Sequence, residues 1–153
     1  MDFSESDQQA MRRALNLAEQ AASIGEVPVG AVIYDANGGV VAEAHNSVIA
    51  DKNVGAHAEM IALRLAGRRI GNYRLPKLKM ATTLEPCPMC AGAIFQARLD
   101  TVIFAAADPK NGALGGAINL AADSRLNHHT AVSGGLLAAR SAVLLRDFFA
   151  ARR

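Results

Sequence analysis

The first stretch of the chain carries apolar side chains at intervals of three or four residues, namely Met11, Ala14, Leu15, Ala18 and Ala22. This spacing places them on one face of a helix. Ser4 and Asp7 precede them in the arrangement of a capping box, and Gly25 follows as a stop signal. The pattern therefore predicts a first, amphipathic helix.

Beyond Gly25 the pattern changes to short apolar runs separated by turn residues, which is typical of strands that alternate with helices. Strands are predicted at residues 27–34, 40–45, 79–84 and 101–106, with the turn D-A-N-G-G between the first two. Helices are predicted at residues 57–66, from 87 to about 97, near 118, and from about 136 to the C-terminus. This order predicts a three-layer α/β/α domain with a mixed central sheet.

Composition narrows the class of protein. A chain of 153 residues that is 51% hydrophobic is expected to form one globular domain. No apolar run approaches the roughly eighteen residues of a membrane span, and the opening M-D-F-S-E-S-D is acidic where a secretory signal is basic. We therefore expect a cytoplasmic protein. The net charge of +2 is too small to indicate a nucleic-acid binder by itself.

Both cysteines of the chain, Cys87 and Cys90, lie in the stretch T-L-E-P-C-P-M-C-A-G. Two cysteines cannot form a disulfide framework, and in a reducing compartment a C-x-x-C pair indicates metal binding or redox chemistry. The pair opens a predicted helix, whose N-terminus stabilises thiolates and so suits either role. A third interpretation is that both are small buried residues.

His57 supplies a possible third ligand, because it begins the other predicted helix in A-H-A-E-M-I-A-L. Three protein ligands and an open position are the arrangement of catalytic zinc, which lowers the pKa of a bound water to about 7. Glu59 is the candidate proton carrier. Side chains two residues apart diverge in mid-helix, but at a helix start both can approach one pocket.

The combination of His57-x-Glu59 with P-C-x-x-C around Cys87 and Cys90 resembles the H-x-E and P-C-x-x-C signature of the zinc-dependent nucleobase deaminases. Within that superfamily the chain most resembles the bacterial tRNA adenosine deaminases, and the likeness runs nearly from end to end. It includes the motifs E-V-P-V-G-A-V, N-Y-R-L, T-L-E-P-C-x-M-C-A-G-A, D-x-K-x-G, N-H and D-F-F-x-x-R-R.

The resemblance implies a cytidine-deaminase-like fold, with residues 1–153 forming a single zinc-dependent deaminase domain. It implies one Zn²⁺ per subunit held by His57, Cys87 and Cys90, with Glu59 as the catalytic residue. The implied reaction is hydrolytic deamination of a wobble adenosine to inosine in a tRNA anticodon stem-loop, by a homodimer. The residues that it implies as substrate contacts are Asn46, Ala58, Pro86, Asp108, Asn127 and Phe149.

The chain departs from the family pattern beside the predicted pocket. Asn53, Val54 and Gly55 stand where the family commonly has Asp-Pro-Thr, and His45 stands where a bulkier aromatic side chain is common. We therefore expect a different loop shape there, with the ligands unchanged.

Charge gives separate support for an RNA substrate. No acidic residue lies between Glu59 and Glu85, and that interval contains Arg64, Arg68, Arg69, Arg74, Lys77 and Lys79. Together with Arg146, Arg152 and Arg153 these cations predict a phosphate-binding face. The alternative interpretation is a solvated helix face.

Three other functions are compatible with the same residues. A deaminase of a free base or nucleoside, such as guanine or cytidine, would use the same zinc chemistry. A zinc-stabilised RNA-binding module would bind RNA without releasing ammonia, although Glu59 argues against it. A redox protein would need cysteines that oxidise instead of binding metal.

Overall fold

The computed structural model describes residues 2–152, so Met1 and Arg153, the last residue of the predicted phosphate-binding face, lie outside the described residues. The helices are α1 Glu5–Ser23, α2 Val48–Asp51, α3 Ala58–Ile70, α4 Pro88–Gln96 and α5 Ala138–Ala150, with a short 3₁₀ turn at Leu120–Ala122. The strands are β1 Gly30–Tyr34, β2 Val40–His45, β3 Lys79–Leu84, β4 Thr101–Ala106 and β5 Ala131–Gly134. None of the helices in the described part of the chain is both long and apolar enough to cross a membrane.

The strongest sequence patterns are confirmed. Helix α1 begins behind a complete capping box, in which Ser4 and Asp7 each bond the other's backbone N–H. Strands β2, β3 and β4 have the predicted bounds. Strand β1 begins three residues later than predicted, because Pro28 has no N–H for the ladder and Val29 N–H donates to the Val27 carbonyl instead.

Other boundaries differ from the predictions for local reasons. Helix α3 continues to Ile70, where Gly71 adopts a left-handed conformation with φ 81° and ends it. Helix α5 begins at Ala138 and the 3₁₀ turn lies at Leu120–Ala122, each about two residues after its predicted position. Helix α2 and strand β5 were not predicted, since both are four residues long and contain no buried residue.

The five strands pair in the order β2-β1-β3-β4-β5, with β1 antiparallel to both neighbours and β3, β4 and β5 parallel. One face of the sheet, including Ala31 and Ile33, packs against α3 and α4. The other face, including Val32 and Tyr34, packs against α1, with Leu144 of α5 beside it. The predicted three-layer α/β/α architecture with a mixed sheet is confirmed.

Several residues predicted to form the site lie at the same edge of this sheet. Parallel strands β3 and β4 both end there, followed by Glu85 and by residue 107 respectively. Because β1 is antiparallel to β3, the start of β1 and the end of β2 lie at the same edge, with Asn46 next along the chain. Ligands bind outside the carboxyl ends of strands in open α/β sheets, so the topology indicates a site here.

Asp7 joins α1 to the sheet on the opposite side of the molecule. Its Oδ1 accepts hydrogen bonds from the Tyr34 hydroxyl at 2.7 Å and from Lys79 Nζ at 3.0 Å. Burial alone would raise the pKa of this carboxyl, but hydrogen bonds from Tyr34, Lys79 and Ser4 together lower it. The ionised carboxylate therefore stabilises the fold at neutral pH.

We expect Asp7→Ala to lower the free energy of unfolding by about 3 kcal/mol, because it leaves the buried Tyr34 hydroxyl without its acceptor. Urea denaturation measures the loss, with Asp147→Ala on the exposed side of α5 as a control. A carboxyl with a lowered pKa stabilises above its unfolded pKa of about 3.9, so the difference should shrink as pH falls further. Equal stability of the two variants at pH 7 would contradict the prediction.

Candidate active site

A cavity of about 300 Å³ opens at the sheet edge that the topology indicates. Its volume is at the lower end of the range for small-molecule sites, about 300–1,000 Å³. Five segments form its wall: residues 26–29, residues 46–49, the start of α3, the end of β3 with the residues after it, and the residues that follow β4. Of the predicted site residues, the cavity wall includes Asn46, His57, Ala58, Glu59, Cys87 and Asp108.

The three predicted metal ligands converge beside this cavity. His57 Nδ1 lies 3.6 Å from Cys87 Sγ and 3.4 Å from Cys90 Sγ, and the three ligand atoms all lie within 4.8 Å of one another. A tetrahedral zinc ion with ordinary bond lengths holds nitrogen and sulfur ligands about 3.5 Å apart. The donor set and its spacing therefore fit Zn²⁺.

Helix starts position these ligands. His57 is the N-cap of α3 and Cys87 is the N-cap of α4, both with extended backbone conformations. Pro88 opens α4 at a position where a missing N–H costs nothing. The pKa of the Cys87 thiol is lowered to about 4, because the Cys90 thiol hydrogen-bonds to it and the His57 imidazole lies beside it. Cys87 therefore provides a thiolate, the form that binds metal.

Glu59 lies in the first turn of α3 and is buried, with 4% of its surface exposed. His57 has an extended backbone while Glu59 is already helical, so the two side chains reach one cavity despite their two-residue spacing. The geometry expected from the sequence is the one observed. Burial raises the pKa of the Glu59 carboxyl above its ordinary value, which suits a group that accepts and returns a proton.

Asn46 follows β2 and is held against β1 by its backbone N–H, which donates to the Val29 carbonyl at 3.0 Å. Its side-chain Oδ1 is buried and has no hydrogen-bond partner among residues 2–152. A buried acceptor without a partner is costly and points to a function. Since Asn46 is on the cavity wall, its amide is available to a polar group of a ligand.

Two buried carboxylates on the cavity wall were missed by the sequence analysis. Glu26 accepts the backbone N–H groups of Ile49 at 3.1 Å and Ala50 at 2.7 Å, so it holds α2 beside the cavity. Glu85 accepts backbone N–H groups of the segment after β4. A signal was present in the sequence, because both glutamates belong to motifs that carry the family resemblance. Glu26 begins E-V-P-V-G-A-V, and Glu85 lies in T-L-E-P-C-x-M-C-A-G-A.

Two predicted contacts, Asp108 and Pro86, already accept hydrogen bonds from neighbouring backbone N–H groups. The Asp108 carboxylate lies on the cavity wall, yet its Oδ1 accepts the N–H groups of Lys110 and Asn111 at 3.1 Å each, as in a turn. The Pro86 carbonyl accepts the Ala113 N–H at 2.9 Å. The Asp108 carboxylate and the Pro86 carbonyl are therefore both occupied by hydrogen bonds within their loops.

Asn127 and Phe149 lie outside the wall of this cavity. Asn127 lines a separate depression with Arg98 and Arg125, and Phe149 is 46% exposed on α5. Their contacts with a nucleotide stay predictions.

The segment of Asn53, Val54 and Gly55 forms a tight turn of its own. Asn53 Oδ1 accepts the Gly55 N–H at 2.8 Å, and Val54 is 85% exposed. The nearby imidazole of His45 bonds the Asn46 carbonyl at 2.9 Å. The cluster of His57, Cys87 and Cys90 is formed with both departures present.

The predicted phosphate-binding face is smaller in the structure than in the sequence. Lys79 pairs with Asp7, and Arg69 donates to the carbonyls of Val40 and Val41. Arg69 is exposed as well, but those two carbonyls engage its Nη1. The other four cations of the interval, Arg64, Arg68, Arg74 and Lys77, are exposed. These four are the ones available to phosphate.

Comparison with known proteins agrees with this geometry. The model of the cytidine and deoxycytidylate deaminase zinc-binding region matches residues 4–106, which include all three ligands and Glu59. A tRNA-specific adenosine deaminase of Haemophilus influenzae is 43% identical over 150 residues, covering 98% of this chain and 87% of that protein.

Two solved structures are also similar. One comes from a study of A-to-I editing by tRNA:A34 deaminases at the wobble position of transfer RNA. It is 37% identical, covers 90% of this chain and 99% of its own, and has a TM-score of 0.86. The other is a guanine deaminase from Bacillus subtilis, 38% identical over 69% of this chain and 66% of its own, with a TM-score of 0.64.

Proposed function

The chain belongs to the cytidine and deoxycytidylate deaminase family, and from this we propose that it deaminates the wobble adenosine of a tRNA anticodon loop to inosine. The observation that carries the proposal is one cavity whose wall includes the buried carboxylate of Glu59 and two members of the metal-ligand cluster, His57 and Cys87. The substrate is supported by the 43% identity to a tRNA-specific adenosine deaminase across 98% of the chain.

Zinc is the cofactor of this family's domain, and we propose His57, Cys87 and Cys90 as its ligands. When bound, zinc supplies a water molecule whose pKa is lowered to about 7. His57 and Cys87, which would hold the ion, are on the cavity wall, so a bound ion would be accessible to a ligand in the cavity.

Glu59 is the proton carrier in this proposal. Its carboxylate takes one proton from the attacking water and delivers it to a ring nitrogen of adenine, and then carries the remaining hydroxyl proton to the departing amine. A C–O bond forms at C6, the C–N bond breaks, ammonia leaves and inosine remains. Glu59 suits this role because it is buried on the same wall as His57.

Asn46 and the backbone near Ala58 orient the base. The unpartnered Asn46 Oδ1 accepts a hydrogen bond from the substrate, and such an interaction positions a ligand in a mostly apolar cavity. Outside the cavity, Arg64, Arg68, Arg74 and Lys77 contact phosphates, which add affinity but carry no sequence information. An anticodon adenosine is already largely unpaired, so its extrusion costs little.

The test is mass spectrometry of a minimal anticodon stem-loop RNA after incubation with the zinc-loaded protein. We expect the wobble adenosine to gain about one mass unit as its amine becomes a carbonyl. A stem-loop with guanosine at that position is the matched control. Reaction with fully duplex RNA alone would contradict the proposal of loop recognition.

A second candidate function is deamination of a free base, which the similarity to a guanine deaminase over 69% of the chain favours. Guanine, cytidine and adenosine in the same reaction separate the two candidates. Conversion of a free base without conversion of the RNA would keep the zinc chemistry and move the function to nucleobase metabolism.

The cytoplasmic location and the homodimer implied by the sequence resemblance are part of the same proposal. A homodimer would extend the RNA-binding surface beyond a single chain. Gel filtration at several protein concentrations tests it, and a peak at the mass of the monomer throughout would contradict it.

A further inference from the structure

Glu85 links strand β3 to the first cysteine ligand, and its side chain is buried with 3% of the residue exposed. The carboxylate points to the segment that follows β4, where it accepts three backbone N–H groups. These come from Asp108 at 3.0 Å, Leu114 at 2.9 Å and Gly116 at 2.8 Å. One buried carboxylate therefore fixes both ends of a nine-residue loop.

Backbone amides alone hold this charge, because none of the ion pairs within residues 2–152 includes Glu85. The loop is shaped around the carboxylate. A Cβ atom at Gly112 would overlap the Glu85 carboxylate, and one at Gly116 would overlap both that carboxylate and the Asp108 carbonyl. Two of the three glycines in the D-P-K-N-G-A-L-G-G stretch, Gly112 and Gly116, thus make room for Glu85.

The loop that Glu85 holds is one wall of the cavity. Asp108 and Asn111 line the cavity together with Glu85 itself, whereas Val48 and Ile49 belong to the separate lining segment that Glu26 holds. Moving residues 108–116 would therefore change the shape of the cavity without moving Glu59 or His57, which lie on α3.

We propose that Glu85 is a positioning residue that holds residues 108–116 as the substrate-contacting wall of the active site. This inference rests on the proposed function for its kinetic consequence, but the tether itself does not depend on the identity of the substrate. Glu85 acts through the loop, because both of its carboxylate oxygens are engaged by the N–H groups of Asp108, Leu114 and Gly116.

Glu85→Gln is the informative substitution because it keeps the size of the side chain and removes one acceptor. A glutamine has one carbonyl oxygen and one NH₂ group, so it cannot accept from Asp108 at one end and from Leu114 and Gly116 at the other. At least one buried N–H is left facing a donor, which loosens one end of the loop.

Two measurements on the zinc-loaded variant test the proposal. Hydrogen–deuterium exchange of residues 108–116 should become about tenfold faster, with exchange in α3 unchanged. The KM for the stem-loop RNA should rise about tenfold while kcat changes less than about twofold, because only binding is affected. Zinc content should stay at that of the wild-type protein.

Three variants complete the design. Glu26→Gln should accelerate exchange at α2 and leave residues 108–116 as in the wild type. Glu19→Gln, at a surface pair with Arg140, should change neither exchange nor kinetics. Gly116→Ala displaces the loop while keeping Glu85, so it should reproduce the rise in KM even if Glu85→Gln does not fold.

Unchanged exchange at residues 108–116 in Glu85→Gln would overturn the tether. Faster exchange with an unchanged KM would overturn the role of the loop as a substrate wall, and loss of zinc would make Glu85 a support of the metal site instead. If the wild-type protein converts a free base and not RNA, the KM is measured with that base. If it converts none of the substrates tested, the proposed function fails while exchange still decides the tether.

Discussion

Replacing Glu59 by glutamine is expected to lower kcat about a thousandfold while the protein keeps its zinc. A positioned acid–base group contributes roughly 10²–10⁴ in rate, and glutamine can neither accept the proton of the attacking water nor return it to the amine. His57, Cys87 and Cys90 are untouched by the change, so the metal should stay. Single-turnover kinetics with saturating enzyme and metal analysis of the same sample measure both effects.

The free energy of unfolding of Glu59→Gln shows whether the loss of kcat is due to misfolding. Glu59 is almost fully buried, and a neutral amide of the same size is less costly to bury than a carboxylate. We therefore expect Glu59→Gln to unfold at a free energy equal to or above that of the wild type. Glu43→Gln on β2, paired with Arg13 on the surface, provides a matched control that should keep full activity. Near-normal turnover by Glu59→Gln would show that another group carries the proton.

The chemistry of the site could be predicted from the sequence because it depends on local signals. Helix starts at His57 and Cys87 are visible as changes in hydrophobic period, and the ligand types restrict the metal. The same local reasoning explains why a two-residue spacing works for His57 and Glu59. An N-cap residue is not helical, so the usual rule for opposite helix faces does not apply at that position.

The cavity walls could not be predicted because they depend on contacts distant in the chain. Helix α2 has four residues and no apolar stripe, and it is held by Glu26, more than twenty residues earlier. Glu85 bonds Gly116 across 31 positions. Strand β5 was missed for a similar reason, since its four residues include no buried one and its pairing is with β4, about thirty positions earlier in the chain.

Contacts distant in the chain also decide which of the cations are free, and the sequence does not show these contacts. Six cations between Glu59 and Glu85 look equivalent in the sequence, yet Lys79 reaches Asp7 across 72 positions and Arg69 bonds the backbone of β2. Pattern alone therefore overestimates the surface that is free to contact phosphate. The prediction that the pocket reads the base while exposed cations add affinity now depends on Arg64, Arg68, Arg74 and Lys77.

The second large effect is expected from Cys87→Ser, which should abolish detectable turnover and remove zinc. Cys87 is half-buried whereas Cys90 is fully buried, so substitution at Cys87 disturbs packing least and isolates the role of the metal. Serine is a weak zinc ligand because its hydroxyl does not ionise at neutral pH, and a site with His57 and Cys90 alone has too few ligands.

Loss of the ion should also lower stability, because a metal that binds only the folded state stabilises it. A zinc concentration a thousandfold above Kd contributes about 4 kcal/mol, which for a chain of this length corresponds to a fall in Tm of roughly 10 °C. Differential scanning calorimetry of wild-type and variant protein, each with and without a chelator, measures this fall in Tm.

The chelator should lower the Tm of the wild type to that of Cys87→Ser and leave the Tm of the variant unchanged. A variant that retained a full complement of zinc would refute the ligand set of His57, Cys87 and Cys90, whereas one that lost zinc at an unchanged Tm would limit the ion to catalysis.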